Sequence, residues 1–114
     1  MSDCIFCKIR DKIIKADIVY EDEFVIAFKD INPQAPFHVL FIPKKHISSF
    51  NEIEVRDAFI LENIFLAIKK TVFKFNIAES GYRIVGNCNK SAGQEVFHLH
   101  FHVMAGRKFL WPAG

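Results

Sequence analysis

The stretch EVFHLHFHVM, residues 95–104, sets His98, His100 and His102 at alternate positions of an apolar run. Side chains alternate faces along an extended chain, so the three imidazoles point one way, successive ones about 6.6 Å apart. Phe97, Leu99, Phe101 and Val103 point the other way. A helix would scatter the rings around its axis, because a repeat of two does not match 3.6 residues per turn. The run therefore predicts a strand whose apolar face packs against a helix and whose histidine face is open to a ligand.

The flanking sequence supplies the rest of such a sheet. DIVYED (17–22) and EFVIAFKD (23–30) read as two strands joined by an acidic turn. INPQAPF (31–37) is a loop, since Pro33 and Pro36 each remove a backbone donor and restrict the preceding residue. HVLFIP (38–43) reads as a buried strand stopped by Pro43, and YRIVGN (82–87) as another strand. Between residues 51 and 75 the period changes: Leu61, Ile64, Phe65, Ile68, Val72 and Phe75 recur every three or four residues. That is one long amphipathic helix, with Ser48, Ser49 or Asn51 to cap its start and Gly81 just beyond its end. A further helical turn is expected near FCKIRD. The expected class is α+β, an antiparallel sheet of about five strands with one long helix, in a single domain spanning residues 1–114.

Composition narrows the function. At 114 residues, 51% hydrophobic and with 13 Phe, the chain can build one real core. A net charge of +2 argues against binding to a nucleic-acid backbone, which asks for a concentrated basic face. No apolar stretch is long enough to span a bilayer, and MSDCIFCKIRDK lacks a secretory pattern, so the cytoplasm is expected.

Three imidazoles opposite large hydrophobes leave three readings open: a structural face, a metal site, or phosphoryl chemistry with one imidazole as nucleophile. The preceding loop GNCNKSAGQE (86–95), polar and with two glycines, can offer hydrogen bonds to an anion and favours the third. CIFC supplies Cys4 and Cys7, either a redox pair or half of a tetrahedral metal site completed by two of His38, His46, His98 and Cys88.

The motifs CIFCKI, FKDINPQAPFHVLFIPKKHIS, GYRIV, AGQEVFHLHFHVMAGR and WPAG together resemble the histidine triad family, in its nucleotide-binding protein branch. The resemblance runs through the whole chain. It implies hydrolysis of purine nucleoside phosphoramidates and related adenylates, with His100 as the nucleophile that forms a nucleotidyl-histidine. His102 is implied to contact the phosphate and assist the leaving amine. Asn87, Gly93, Gln94 and Val96 match positions lining the phosphate, Asp30 the carboxylate that takes the ribose hydroxyls, and Ile5, Phe6, Ile9, Phe28 and Ile31 the base pocket. For these last five, core packing is an equal explanation. Related sequences with the cysteine pair point to zinc on Cys4, Cys7, His46 and His98. As a ligand, His98 could not be a general acid, which sets that role against a catalytic one. Glu95 departs from the serine usual in eukaryotic members; an ionised carboxylate only accepts hydrogen bonds, which bears on leaving-group preference. Two other functions stand beside the hydrolase: a nucleotide- or zinc-binding regulatory module, and a dinucleoside polyphosphate hydrolase, against which WPAG speaks.

A homodimer is expected on two grounds. Phe59, Phe65, Phe73 and Phe75 stand at differing angles around the helix, more than one sheet face can cover, and YRIVGN needs a strand neighbour. In the family two protomers join through helix and sheet edge, which would carry Trp111 toward the other chain's nucleotide.

Overall fold

A computed structural model describes residues 3–114. Helix α1, Ile5–Arg10, is followed by strands β1, Ile18–Glu21, β2, Val25–Lys29, and β3, Phe37–Pro43. Helix α2, Ala58–Lys74, precedes β4, Tyr82–Gly86, and β5, Phe101–Ala105. The strands form one antiparallel sheet in the order β1-β2-β3-β5-β4, so β1 and β4 are its edges. This is the α+β arrangement expected from the sequence. Among the described residues no helix is long and apolar enough to cross a membrane.

Alternation along the strands divides the interior in two. Val25 and Ala27 of β2, Val39 and Phe41 of β3, and Phe101 and Val103 of β5 face α2 and pack with Ile60, Ile64, Ala67, Ile68 and Val72. The opposite side chains, Ile26, Phe28, Leu40 and Ile42, pack beneath α1 through Phe6 and Ile9. The central strands are thus buried on both faces and read as nearly unbroken apolar runs.

Two boundaries differ from the sequence reading. The long helix starts at Ala58, not near residue 51: two single 3₁₀ turns, Phe50–Glu52 and Val55–Asp57, precede it. Ser49 caps the first, its Oγ accepting from the Asn51 N–H at 3.2 Å. Glu54 and Asp57 close a reciprocal capping box around the second, and the buried Asp57 is paired with Lys45 at 2.7 Å. At the other end the chain leaves the helix through Asn76, in the left-handed region at φ 59°, well before Gly81. The second difference concerns the histidine run. Only Phe101–Ala105 joins the ladder, so His98, at a bend, and His100 lie on a segment that leads into the strand. Three of the four apolar partners, Leu99, Phe101 and Val103, are buried as expected, but Phe97 is half-exposed.

Candidate functional site

The three histidines do share the face opposite α2, yet that face is not open along its length. Helix α1 lies over it: the Phe6 ring packs edge-on against His98 and His100, centroids 6.0 and 5.1 Å away, and against Phe28 at 5.3 Å. His98 is fully buried, His100 is 7% exposed and His102 is half-buried. The open-face expectation therefore holds only toward His102.

Each ring has a fixed partner, which decides where its proton sits. His100 Nδ1 is 2.7 Å from the His98 carbonyl, which can only accept, so Nδ1 carries the proton and Nε2 the lone pair. Burial lowers the His100 pKa, against the pull of that carbonyl and of Asp30, so the ring is neutral near pH 7. For His38, Nδ1 accepts the Gln34 N–H at 3.0 Å, which leaves the proton on Nε2. That Nε2 stands 3.0 Å from His102 Nδ1 and 3.4 Å from Asp30 Oδ2. His102 Nδ1 is then an acceptor, and its own proton is on Nε2. Burial, with His100 and His38 close by, pushes His102 down to about 4, so it too is neutral. The result is a directed chain: Gln34 N–H to His38, His38 to His102, and a His102 N–H at the end. Asp30, His38 and His102 also lie close enough to share an ion. The proton on His38 Nε2 occupies the lone pair an ion would need, so a hydrogen-bond relay is the better account.

Cys4, Cys7, His46 and His98 make a second centre. Cys4 is the N-cap of α1 and its Sγ accepts from the Cys7 N–H at 3.3 Å. His98 Nδ1 lies 3.4 Å from Cys4 Sγ, 3.5 Å from Cys7 Sγ and 3.1 Å from His46 Nδ1, and Cys7 Sγ is 3.3 Å from His46 Nδ1. Tetrahedral zinc with bonds of about 2.3 Å to sulfur and 2.05 Å to nitrogen requires S···N near 3.6 Å and N···N near 3.3 Å. These four separations meet that within a few tenths of an ångström. The outer contact agrees: His98 Nε2 donates to the Pro43 carbonyl at 2.8 Å, turning the Nδ1 lone pair toward the thiols. These residues fit a metal ion. Of the other ligand candidates, His38 belongs to the relay, and Cys88, half-buried in the 86–95 loop, is outside the cluster.

The loop expected to meet phosphate is held from within. Asn89 and Gly93 take left-handed φ of 67° and 89° on either side of a 3₁₀ turn. Gln94 is 5% exposed; its Oε1 accepts from the Asn89 N–H, its Nε2 donates to the Ser48 and Val96 carbonyls, and its N–H bonds Asn89 O. Gln94 therefore shapes the loop instead of presenting a donor, a role the sequence reading missed. Asn87 is half-buried at the loop's start, and Val96 packs against the α1 cluster. Core packing accounts for Phe6, Ile9 and Phe28, but not for Ile5 and Ile31, which are 44% and 99% exposed. Trp111 is 85% exposed on a tail pinned by Arg83, which donates to Leu110 O at 3.1 Å, and by Arg83 and Arg107 over the Phe109 ring.

An antiparallel sheet with one long helix, bearing a neutral histidine between a relay histidine and a Cys/His cluster, defines the class of histidine triad proteins. The match is direct. The family model described as HIT domain matches residues 11–109. A HIT family hydrolase from Legionella pneumophila is similar in structure, with a TM-score of 0.96, 46% identity and 98% and 100% of the two chains covered. A HIT family hydrolase from Clostridium thermocellum follows at 0.93 and 49%, with 96% of each chain covered. An uncharacterized HIT-like protein of Synechocystis is 45% identical over 98% of this chain and 97% of its own. The chain belongs to the HIT family.

Proposed function

We propose that the protein is a cytoplasmic hydrolase of purine nucleoside 5′-phosphoramidates and related adenylates that works through a nucleotidyl-histidine at His100. The observation that carries this reading is the 2.7 Å contact between His100 Nδ1 and the His98 carbonyl. It fixes the lone pair on Nε2, the atom that attacks the α-phosphorus. As the new P–N bond forms the ring becomes cationic, and the same carbonyl stabilises the charge where it appears. The bond to the leaving amine breaks as its nitrogen takes a proton from solvent; water then attacks the nucleotidyl-histidine, gives a proton to solvent and returns the lone pair to Nε2. His102, neutral, donates a hydrogen bond through its Nε2–H to a phosphoryl oxygen or the departing nitrogen, and His38 holds it in that tautomer. Asp30, beside His38, takes the ribose hydroxyls, with Asn87 and Val96 at the phosphate and Ile5, Phe6, Phe28 and Ile31 around the base.

Zinc on Cys4, Cys7, His46 and His98 fits this reading as a structural ion. It brings no redox chemistry of its own and ties α1 to the segment that leads into β5. A ligand role for His98 excludes it from proton transfer. A homodimer is supported by the exposed apolar surface. Phe65 packs on Phe101 of β5 and Phe75 on Phe37, so exposed helix aromatics flank the unpaired edge of β4, where Tyr82 and Ile84 are also exposed. Phe59, which packs on Phe24 at 5.2 Å, is 47% exposed as well.

The test is release of AMP and amine from an adenosine phosphoramidate by the purified chain and by His100→Ala. Turnover lost in the variant with AMP binding retained supports the enzyme. Turnover within a few-fold of the parent refutes His100, and no turnover in the parent favours the regulatory module.

A further inference from the structure

Cys4 and Cys7 are thiols placed three residues apart at the start of a helix, close to each other, and unequal in access. Cys7 is buried, whereas Cys4 is half-buried and lines a surface depression of about 380 Å³ with Asp3, Ile5, Glu95, Val96 and Phe97. Of the two residues, Cys4 therefore meets the depression and solvent while Cys7 is closed off. Residues three apart on a helix are neighbours on its surface, within the span a disulfide bridges. The two carboxylates at the depression, Asp3 and Glu95, disfavour anionic oxidants such as glutathione disulfide and admit a small neutral one.

We propose that Cys4 and Cys7 form a peroxide-sensitive oxidation site whose disulfide releases the bound metal and withdraws support from His100. The proposal rests on the metal-binding reading of the cluster and goes beyond it. The Cys4 thiolate attacks hydrogen peroxide; the O–O bond breaks, giving a sulfenic acid and hydroxide. The Cys7 thiolate then attacks the Cys4 sulfur and displaces a second hydroxide. Two protons from solvent convert both hydroxides to water, so the sulfurs are oxidised by two electrons and the peroxide is reduced. A disulfide is no longer a thiolate donor, which leaves only His46 and His98, too few to retain the ion.

The consequence reaches the nucleophile by a short path. Both cysteine sulfurs face the His98 ring, and the carbonyl of that same residue holds His100 Nδ1. Phe6, between the two cysteines in sequence, touches both rings. Loss of the ion leaves the His98 ring held by the Pro43 carbonyl alone and releases the start of α1 from it. His100 then loses its tautomer lock and the pocket loses one wall.

The experiment uses the full chain, zinc-loaded, with Cys88→Ser leaving two thiols. Hydrogen peroxide is added beside a chromogenic chelator. Expected are one zinc released per two thiols lost, a Cys4–Cys7 disulfide in the N-terminal peptide, and phosphoramidate turnover lowered about tenfold, the worth of one charge-assisted hydrogen bond. AMP binding weakens in parallel, and reductant with zinc restores all of these. Zinc retained after both thiols are lost overturns the proposal; so does zinc release with turnover and AMP affinity unchanged, or a chain that binds no zinc. A parent without phosphoramidate turnover refutes the hydrolase reading alone, and zinc release with AMP affinity then decides this one.

Discussion

Replacing His38 tests the relay, because among the described residues no other hydrogen bond fixes the His102 tautomer. In His38→Ala the 3.0 Å donor to His102 Nδ1 is gone, and the Gln34 N–H loses its acceptor. One neutral hydrogen bond of this kind contributes roughly 1–1.5 kcal/mol, which is about five- to tenfold in a rate that depends on the Nε2–H tautomer. We expect kcat/KM for an adenosine phosphoramidate to fall by about that factor, mostly in kcat, with AMP affinity little changed. A glutamine side chain can place its amide nitrogen near the position of His38 Nε2, so His38→Gln should recover most of the loss. The ¹⁵N shifts of His102 report the tautomer directly: a single Nε2–H form in the parent and in His38→Gln, a mixture in His38→Ala. The cost to folding is separate, since Ala also opens a void at a residue only 6% exposed, and it is read by denaturant melts. Turnover by His38→Ala within twofold of the parent, or His38→Gln no better than Ala, refutes the relay.

His100→Ala should abolish turnover while sparing AMP binding, whereas His102→Ala should lose less because the bond-forming atom remains. Zinc analysis of protein made without a metal-binding tag should give close to one ion per chain, and Cys7→Ser should lower that content and the melting temperature together. Light scattering should report a mass of two chains, and Leu66→Glu with Phe73→Glu, both exposed on α2, should yield the single-chain mass. Stability of the metal-free chain should be fully present above about pH 6.5 and decline as the pH falls toward 4, because unfolded histidines take up protons that His102, with its folded pKa of about 4, refuses. Allowing for solvent around that half-buried ring, the His102 share is about 2 kcal/mol, and denaturant midpoints of the parent against His102→Gln measure it.

Periodicity carried the fold a long way. The alternation at 95–104 places the three histidines on one side even where the ladder has ended, and of the positions spaced by three and four, Ile64, Ile68 and Val72 are buried on α2 while Phe65 and Phe75 are exposed. The helix start was misplaced because residues 50–57 are apolar and acidic at helix-like intervals, yet spend their caps on two 3₁₀ turns. The distinction lies in Ser49, Glu54 and Asp57, whose side chains compete with the backbone for the same donors.

The relay was harder to read, because it depends on which strands pair. His38 and His102 are 64 residues apart in sequence. They meet because β3 and β5 are neighbours in a register that sets Leu40 opposite His102, which puts His38 on the same face one diagonal away. Alternation within HVLFIP already assigns His38 to the Leu40 face; what is missing from sequence is the neighbour. The early end of the β5 ladder has a similar cause. Leu99 gives its N–H to Ile47, 2.6 Å away, and His98 gives its ring proton to Pro43. Both bonds draw the chain toward the segment that carries His46, and off the line of the sheet. A continuous strand through His98 would satisfy the backbone equally well but would not bring His98 Nδ1 to the cysteines. The departure from ideal β-structure is therefore the local cost of gathering Cys4, Cys7, His46 and His98 beside the segment that bears His100. The same departure places the His98 carbonyl against His100 Nδ1.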